Sequence, residues 1–255
     1  MRAVLANTAR LVTLGLAFFA IGLAPAGARP LDLSGIHTIG VISAVGHRAT
    51  LQKVGFMAFG NLLEEIDSSD WGIDDKIAAM VTDALQGRIA VRRIAADPVA
   101  FSTQETSWYN ESQVPVEDLV SKLTDREGID AYLVCYPFPV QDPINPTNQW
   151  FRGLGLYRRG WLGPTFDLFA FYRCALIDAR TNKELSGGKG MLGDSNFFQH
   201  PWPYADVDPA IWADHAPDLT ATQRDAIKAG VMDLVEKSLP WALSDAGLVP
   251  APSAK

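Results

Sequence analysis

From Thr165 to Met191 the chain reads TFDLFAFYRCALIDARTNKELSGGKGM. Phe166, Leu168, Ala170, Tyr172, Cys174 and Leu176 alternate along one face of a strand. Phe169, Phe171, Ala175 and Ile177 make the other face nearly as apolar, interrupted only by Asp167 and Arg173. A strand apolar on both faces belongs in the middle of a sheet. The polar run from Asp178 to Lys183 predicts a turn and an antiparallel return to Met191, so the chain entering at Thr165 and leaving near Gly190 meets at one end of the sheet.

The remaining pattern alternates between strand and helix. Ile36–Val45 is a short β-branched run that predicts a first buried strand, followed by a turn at Gly46-His47-Arg48 and a short extended excursion over Ala49–Gly60. Ile73, Ile77, Val81, Ala84 and Leu85 share a helical face that opens after Asp70-Trp71-Gly72 and stops at Gly87. Ile89, Val91 and Ile94 predict a second strand. Pro115 opens a helix with Val116, Leu119, Val120 and Leu123 inward, ending at Gly128, and Ala131–Phe138 is a third buried strand. Thr220 and Gln223 have capping-box spacing ahead of a last helix, in which Ile227, Val231, Leu234, Val235 and Leu239 face inward and Pro240 is expected to kink or end it near Trp241. Val249–Lys255 reads as a disordered tail.

With right-handed crossovers this order predicts an α/β fold of three-layer type. Its mixed sheet has about five strands, three parallel plus the antiparallel hairpin, with three main helices. Ligands of such sheets sit at the carboxyl ends of the parallel strands, the edge to which the hairpin is expected to bring its flanking loops.

The amino terminus changes where the chain is expected to work. Arg2 and Arg10 precede or abut an apolar run, Leu11–Ala24, and Ala26-Gly27-Ala28 follows, which are the three parts of a secretory signal peptide with cleavage after Ala28. The run is shorter than the roughly 18 residues of a transmembrane helix. The domain reading is therefore a signal peptide at 1–28, one α/β domain at 29–248 and a tail at 249–255. No Cys stands near the cleavage site to take a lipid, since Cys135 is the first in the chain. The expectation is an exported protein, periplasmic or secreted, without stable membrane insertion after cleavage.

Charge narrows the partners. The formal net charge is −7; losing Arg2 and Arg10 takes 22 Lys and Arg to 20 against 29 acids, or −9. Nucleic acids and anionic surfaces reward basic faces, so neither is an expected partner. Cys135 and Cys174 are too few to build a disulfide scaffold; both fall on predicted strands, and they read either as one bridge or as two small core residues.

No motif carries a reaction. Gly153-Leu-Gly155 continues to Arg158 where a dinucleotide fingerprint needs Gly, and Gly188-Lys189-Gly190 lacks the rest of a phosphate loop. Gly193-Asp194-Ser195 resembles the nucleophile block of GDS-type esterases, but Asp214 and His215 are adjacent rather than spaced as that family requires. His200 and His215 share a stretch with Asp194, Asp206, Asp208 and Asp214 without zinc-like spacing, so no metal and no cofactor is expected. A hydrolase would have to draw on His47, Asp194, Ser195, His200 or His215.

Two aromatic stretches remain. Pro137–Pro164 carries Phe138, Trp150, Phe151, Tyr157 and Trp161 with Arg152, Arg158 and Arg159; Gly193–Pro217 carries Phe197, Phe198, Trp202, Tyr204 and Trp212 with four Asp. Read as loops, they either pair with each other as lids on the sheet edge or form a recognition surface around Trp150, Arg158, Trp161, Trp202 and Trp212, because Trp, Tyr and Arg supply most binding energy.

The alternating order, followed by Leu176-Ile177-Asp178-Ala179-Arg180-Thr181-Asn182-Lys183-Glu184-Leu185, resembles the small α/β domain of the curli-secretion channel lipoproteins, the lipoprotein activators of peptidoglycan synthases and the amino-terminal domain of the Tol-Pal translocation protein. The likeness spans roughly Ile36 to Leu243 and rests on the hairpin block. It implies a non-enzymatic domain that works through protein contacts in the bacterial envelope. The chain departs from the lipoproteins in lacking the lipidated Cys. The expected function is an exported binding or assembly module with an envelope protein as partner; the alternative is a periplasmic hydrolase or small-molecule-binding protein using the same edge.

Overall fold

The computed structural model describes residues 31–252 apart from 57, 103–114, 146, 161–162 and 195–200. The signal peptide read at 1–28 lies outside these residues. From Leu31 onward the chain is one compact unit.

Three parallel strands form one side of the sheet, with β1 (Thr38–Ser43) between β4 (Ala90–Arg93) and β5 (Ala131–Pro137). Next to β5, antiparallel, lies β8 (Thr165–Asp178), and its return strand is β9 (Glu184–Lys189). These five are the strands that the apolar runs predict.

The sheet does not stop there, and about five strands is corrected to ten among the described residues. At 14 residues β8 outruns β5, so its first half is left to pair with other strands. It pairs there with β7 (Trp150–Arg159), which runs parallel to β2 (Arg48–Val54), itself antiparallel to β3 (Leu62–Asp67). The short β6 (Pro139–Gln141) pairs with β7 and β10 (Tyr204–Asp206) with β8. The spatial order is β3-β2-β7-β8-β5-β1-β4. The stretches read as an excursion and as an aromatic loop are thus strands, joined by a parallel pairing across about a hundred residues that no local pattern announces.

Alternation along β8 divides the core. Leu168, Ala170, Tyr172, Cys174 and Leu176 face α1 (Ile73–Leu85) and α4 (Ala221–Asp245), with Ile77, Val81, Val231 and Val235 closing the layer. On the other face Ala175 and Ile177 meet Phe101 of α2 (Pro98–Ser102) and Val120 of α3 (Val116–Ser121). Phe169 and Phe171, farther along that face, pack with Phe151, Tyr157, Val54 and Val140 in an aromatic cluster. Asp167 and Arg173, the two charged residues within the strand's apolar run, lie on this second face.

The described α-helices number four rather than three: α2 is an addition, α3 ends at Ser121 rather than at Gly128, and α1 and α4 begin where their spacing predicts. Gly72 and Gly87 bracket α1 with φ of 74° and 76°, and Thr220 and Gln223 form the capping box of α4. However, α4 runs through Pro240 to Asp245. Its far end lies so close to β9 that a Cβ on Gly188 would stand 2.1 Å from the Ala242 carbonyl oxygen. Packing of Leu239, Ala242 and Leu243 into the core outweighs the one helical hydrogen bond that proline removes.

Cys135 and Cys174 stand opposite each other in the β5–β8 register, with Cα atoms 4.0 Å apart, and are joined by a disulfide. Both are fully buried in the helix-side core.

Candidate functional site

The outer part of the sheet packs one of its faces on the helix-side core. Ala49 and Leu51 of β2 and Ile66 of β3 point into the helix-side core, whereas Thr50, Gln52, Leu63 and Glu65 point the other way. They floor a cavity of about 200 Å³, walled by Trp150, Arg152, Gly153, Pro137, Arg48 and Ser102. The registers Thr50↔Glu65 and Gln52↔Leu63 place the four floor residues as cross-strand neighbours on one surface.

Trp150 begins β7 at the rim and is 48% exposed. Its carbonyl accepts a 3.3 Å hydrogen bond from the buried Gln52 amide, which fixes the backbone that carries the indole. Three residues on, Gly153 adopts φ 67°, a conformation that side chains rarely tolerate, and packs against Pro137. Arg48 bonds Glu65 at 2.8 Å with both side chains well exposed, so the pair orients two charges over the floor and adds little stability. The groove offers one indole face, two guanidiniums, a carboxylate and an amide. Such a set can bind by stacking and hydrogen bonding; the lining hydroxyls are those of Thr50 and Ser102, and Ser102 donates to the Val99 carbonyl.

The other residues read as one recognition edge are distributed over both faces. Arg158 and Trp212 do meet, on the helix side: the guanidinium lies 5.3 Å from the Phe166 ring centroid and 5.6 Å from that of Trp212, and reaches Asp214 at 3.7 Å. Trp202 lies on the opposite face, edge-on to Phe171 at 5.8 Å and beneath the Lys189 ammonium, which also sits 4.5 Å above Phe138. Burial, then Arg173, lowers the Lys189 pKa. Trp161 lies outside the described residues. Arg158, Trp202 and Trp212 are therefore engaged in packing within the chain, and Trp150 is the one that faces an open groove. Sequence reasoning missed Arg48, Gln52, Leu63 and Glu65. Their alternation with Ala49, Leu51 and Ile66 is the signal that could have found them.

Among the described residues, the groups that a hydrolase would need are not gathered. His47 lies near Asp67 at the start of β2, His215 bonds Glu64 at 2.8 Å on β3, and Asp194 lies toward Asp245 at the end of α4. Ser195 and His200 are outside the described residues. Among the described residues no group of three or more His, Cys, Asp or Glu could hold a metal ion. Nor is any described helix long and apolar enough to cross a membrane.

A second polar cluster lies under the segment between β6 and β7. Asp142 Oδ1 accepts from the backbone N–H groups of Ile144 and Asn145 at 3.0 and 2.8 Å, and Asn145 is bonded by Arg159. The Tyr157 hydroxyl donates to Asp142 at 3.4 Å, and its pKa is raised by burial and then by the Asp142 charge. The network closes on its own members and ties the segment to the aromatic cluster.

No protein family matches the chain, and no curated protein matches it. Among solved structures it is similar to lipoprotein GNA1162 of Neisseria meningitidis, with 13% identity and a TM-score of 0.27 over 79% of this chain and 99% of that one. It is also similar to the hypothetical protein CT253 of Chlamydia trachomatis, with 10% identity and a TM-score of 0.26 over 80% and 98% of the two chains. Superpositions this loose carry no functional argument.

Proposed function

We propose that this chain is an exported, non-enzymatic binding or assembly module of the bacterial envelope that engages a protein partner through the groove at Trp150. The single observation that carries the reading is a large, half-exposed indole at the rim of a cavity floored by β2 and β3. Exposed Trp with neighbouring Arg is the composition of interface hot spots. The amino-terminal export signal and the resemblance of the hairpin block supply the compartment and the class of partner. The separation of His47, Asp194 and His215 favours binding over turnover.

The test is capture from an envelope extract by the chain from Arg29 to Lys255, beside its Trp150→Ala variant. A specific protein held by the parent and lost by the variant supports the reading. Equal recovery on both removes the groove from it.

A further inference from the structure

β10 is a three-residue strand whose side chains are all exposed. It pairs with the stretch of β8 that runs past the end of β5. Two backbone bonds bracket the pairing: Ala170 N–H donates to the Pro203 carbonyl and Val207 N–H to the Phe166 carbonyl, each at 2.9 Å. A short exposed strand of this kind opens more readily than the buried strands beside it.

At its far end the pairing sets two acids together. Asp206 stands directly opposite Asp167, so their carboxyls are cross-strand neighbours on one face, where like charges oppose the pairing. Asp206 is in solvent, but Asp167 is 5% exposed and its Oδ2 is buried with no hydrogen-bond partner among the described residues. β7 brings Tyr157, opposite Asp167 in register, and Arg159, opposite Thr165; the segment between β6 and β7 brings Asp142, 3.4 Å from the Tyr157 hydroxyl. Burial, then Asp206, then Asp142 favour the protonated Asp167 carboxyl, whereas Thr165 and Arg159 favour the carboxylate. Arg159 is also bonded to Asn145 and to the Gly163 carbonyl, so its charge is shared. A carboxylate buried without a full set of donors costs far more than the neutral acid.

We infer that these two acids form a pH-operated clasp: with a proton on Asp167 β10 lies closed on β8, and loss of that proton releases β10 while the rest of the sheet stays folded. β8 pairs with β7 on its other side and is tied to β5 by the disulfide, so β10 is the neighbour that gives way and lets water reach the carboxylate. A proton suits the site better than a metal ion, since among the described residues no group of three or more His, Cys, Asp or Glu could hold one. The closed form keeps the proton and the open form releases it, so closure is favoured at low pH and weakens as pH rises from about 4 through about 6. The inference does not depend on the Trp150 groove.

The experiment is amide hydrogen exchange followed by NMR on the chain from Arg29 to Lys255, which contains the whole compact unit. It is run at about pH 5 and about pH 7.5 with a chelator present, and rates are corrected for the intrinsic effect of pH. The Val207 and Ala170 amides report β10, and the Ala44 amide, which donates to the Cys135 carbonyl at 2.9 Å, reports the sheet centre. Val207 and Ala170 are expected to exchange through an opening at least about tenfold more populated than the one that frees Ala44. Between the two pH values that opening is expected to grow by about tenfold, the factor that follows from a carboxyl titrating near 6 when closed and near 4 when open. Asp167→Asn is expected to abolish the growth and Asp206→Asn to shrink it. Asp206 is in solvent, so its replacement keeps the test open even if Asp167→Asn does not fold. Protection at Val207 and Ala170 equal to that at Ala44 would overturn the inference. So would a pH response that survives Asp167→Asn or is undiminished in Asp206→Asn.

Discussion

Asp167 on β8 stands directly opposite Asp206 on β10, and the Asp167 carboxyl is 5% exposed while Asp206 is in solvent. Burial first, and then the Asp206 charge, push the Asp167 pKa up to about 6. The Thr165 hydroxyl and the Arg159 guanidinium pull the other way, and Asp142 adds to the rise.

Because this pKa is raised on folding, the native state holds a proton that the unfolded chain has released. Stability from this group is therefore present at low pH and lost as pH climbs from about 4 through about 6. The size is roughly 2–3 kcal/mol, at 1.36 kcal/mol for each unit. Asp167→Asn should raise the denaturation midpoint at about pH 8 and raise it much less at about pH 4.5. Denaturant titrations of both proteins at the two pH values check this. A variant no more stable than the parent at the higher pH would show that the buried carboxylate costs nothing.

The loop that precedes α4 is fastened to β3 by His215. Its imidazole Nδ1 lies 2.8 Å from Glu64 Oε1, and the Ala216 N–H donates to Glu64 Oε2 at 2.6 Å. The Glu64 hydrogen bond, then its charge, raise the His215 pKa, and His215 in turn lowers that of Glu64. The fastening is complete below about pH 6.5, down to the lowered titration of Glu64, and is lost as pH rises through the raised His215 value. Following the ring protons by NMR, Glu64→Gln should bring the His215 titration to lower pH. An unmoved titration would sever the link between the two side chains.

The disulfide joins positions separated by 39 residues across the two central strands. Closing a loop of that length restricts the unfolded chain by about 4 kcal/mol on the entropic account, and measured losses for small exported domains run from about 2 to 5 kcal/mol. Cys135→Ala with Cys174→Ala should unfold at lower denaturant by an amount in this range. A reducing agent should then bring the parent down toward the variant while leaving the variant where it is.

Much of the fold is legible where burial is two-sided. β1 and β5 announce themselves because Ile39, Val41, Leu133 and Val134 need no polar face, and α1 because Ile73, Ile77, Val81 and Leu85 recur every fourth residue. β7 is as deeply buried, yet its alternation is hidden by Gly153 and Gly155. Glycine is required at the second, where a Cβ would lie 2.4 Å from the Thr50 carbonyl oxygen. β2 reads as excursion, and β3 gives no strand signal, because half of each strand faces the groove and is polar. The groove was therefore the least legible part. Trp150 draws attention by type alone, but Gln52, Leu63 and Glu65 reach it through pairings with β7 and β3 that only the assembled sheet supplies.

The same distinction separates Trp150 from Trp212 in a measurable way. Trp212 is half-buried against the helix-side core, its ring under the Arg158 guanidinium and edge-on to Phe166 at 6.1 Å. Removing that ring opens space beneath α4 and leaves the Arg158 charge without one of its two faces, so Trp212→Ala should cost roughly 1–3 kcal/mol. Trp150 offers its indole to the groove, and the hydrogen bond it receives from Gln52 is to its backbone, so Trp150→Ala should stay within about 0.5 kcal/mol of the parent. Thermal or denaturant melts of the two variants decide the matter. If Trp150→Ala proved the more damaging, its indole would be a structural plug for the groove, and loss of a partner in that variant would no longer report on binding.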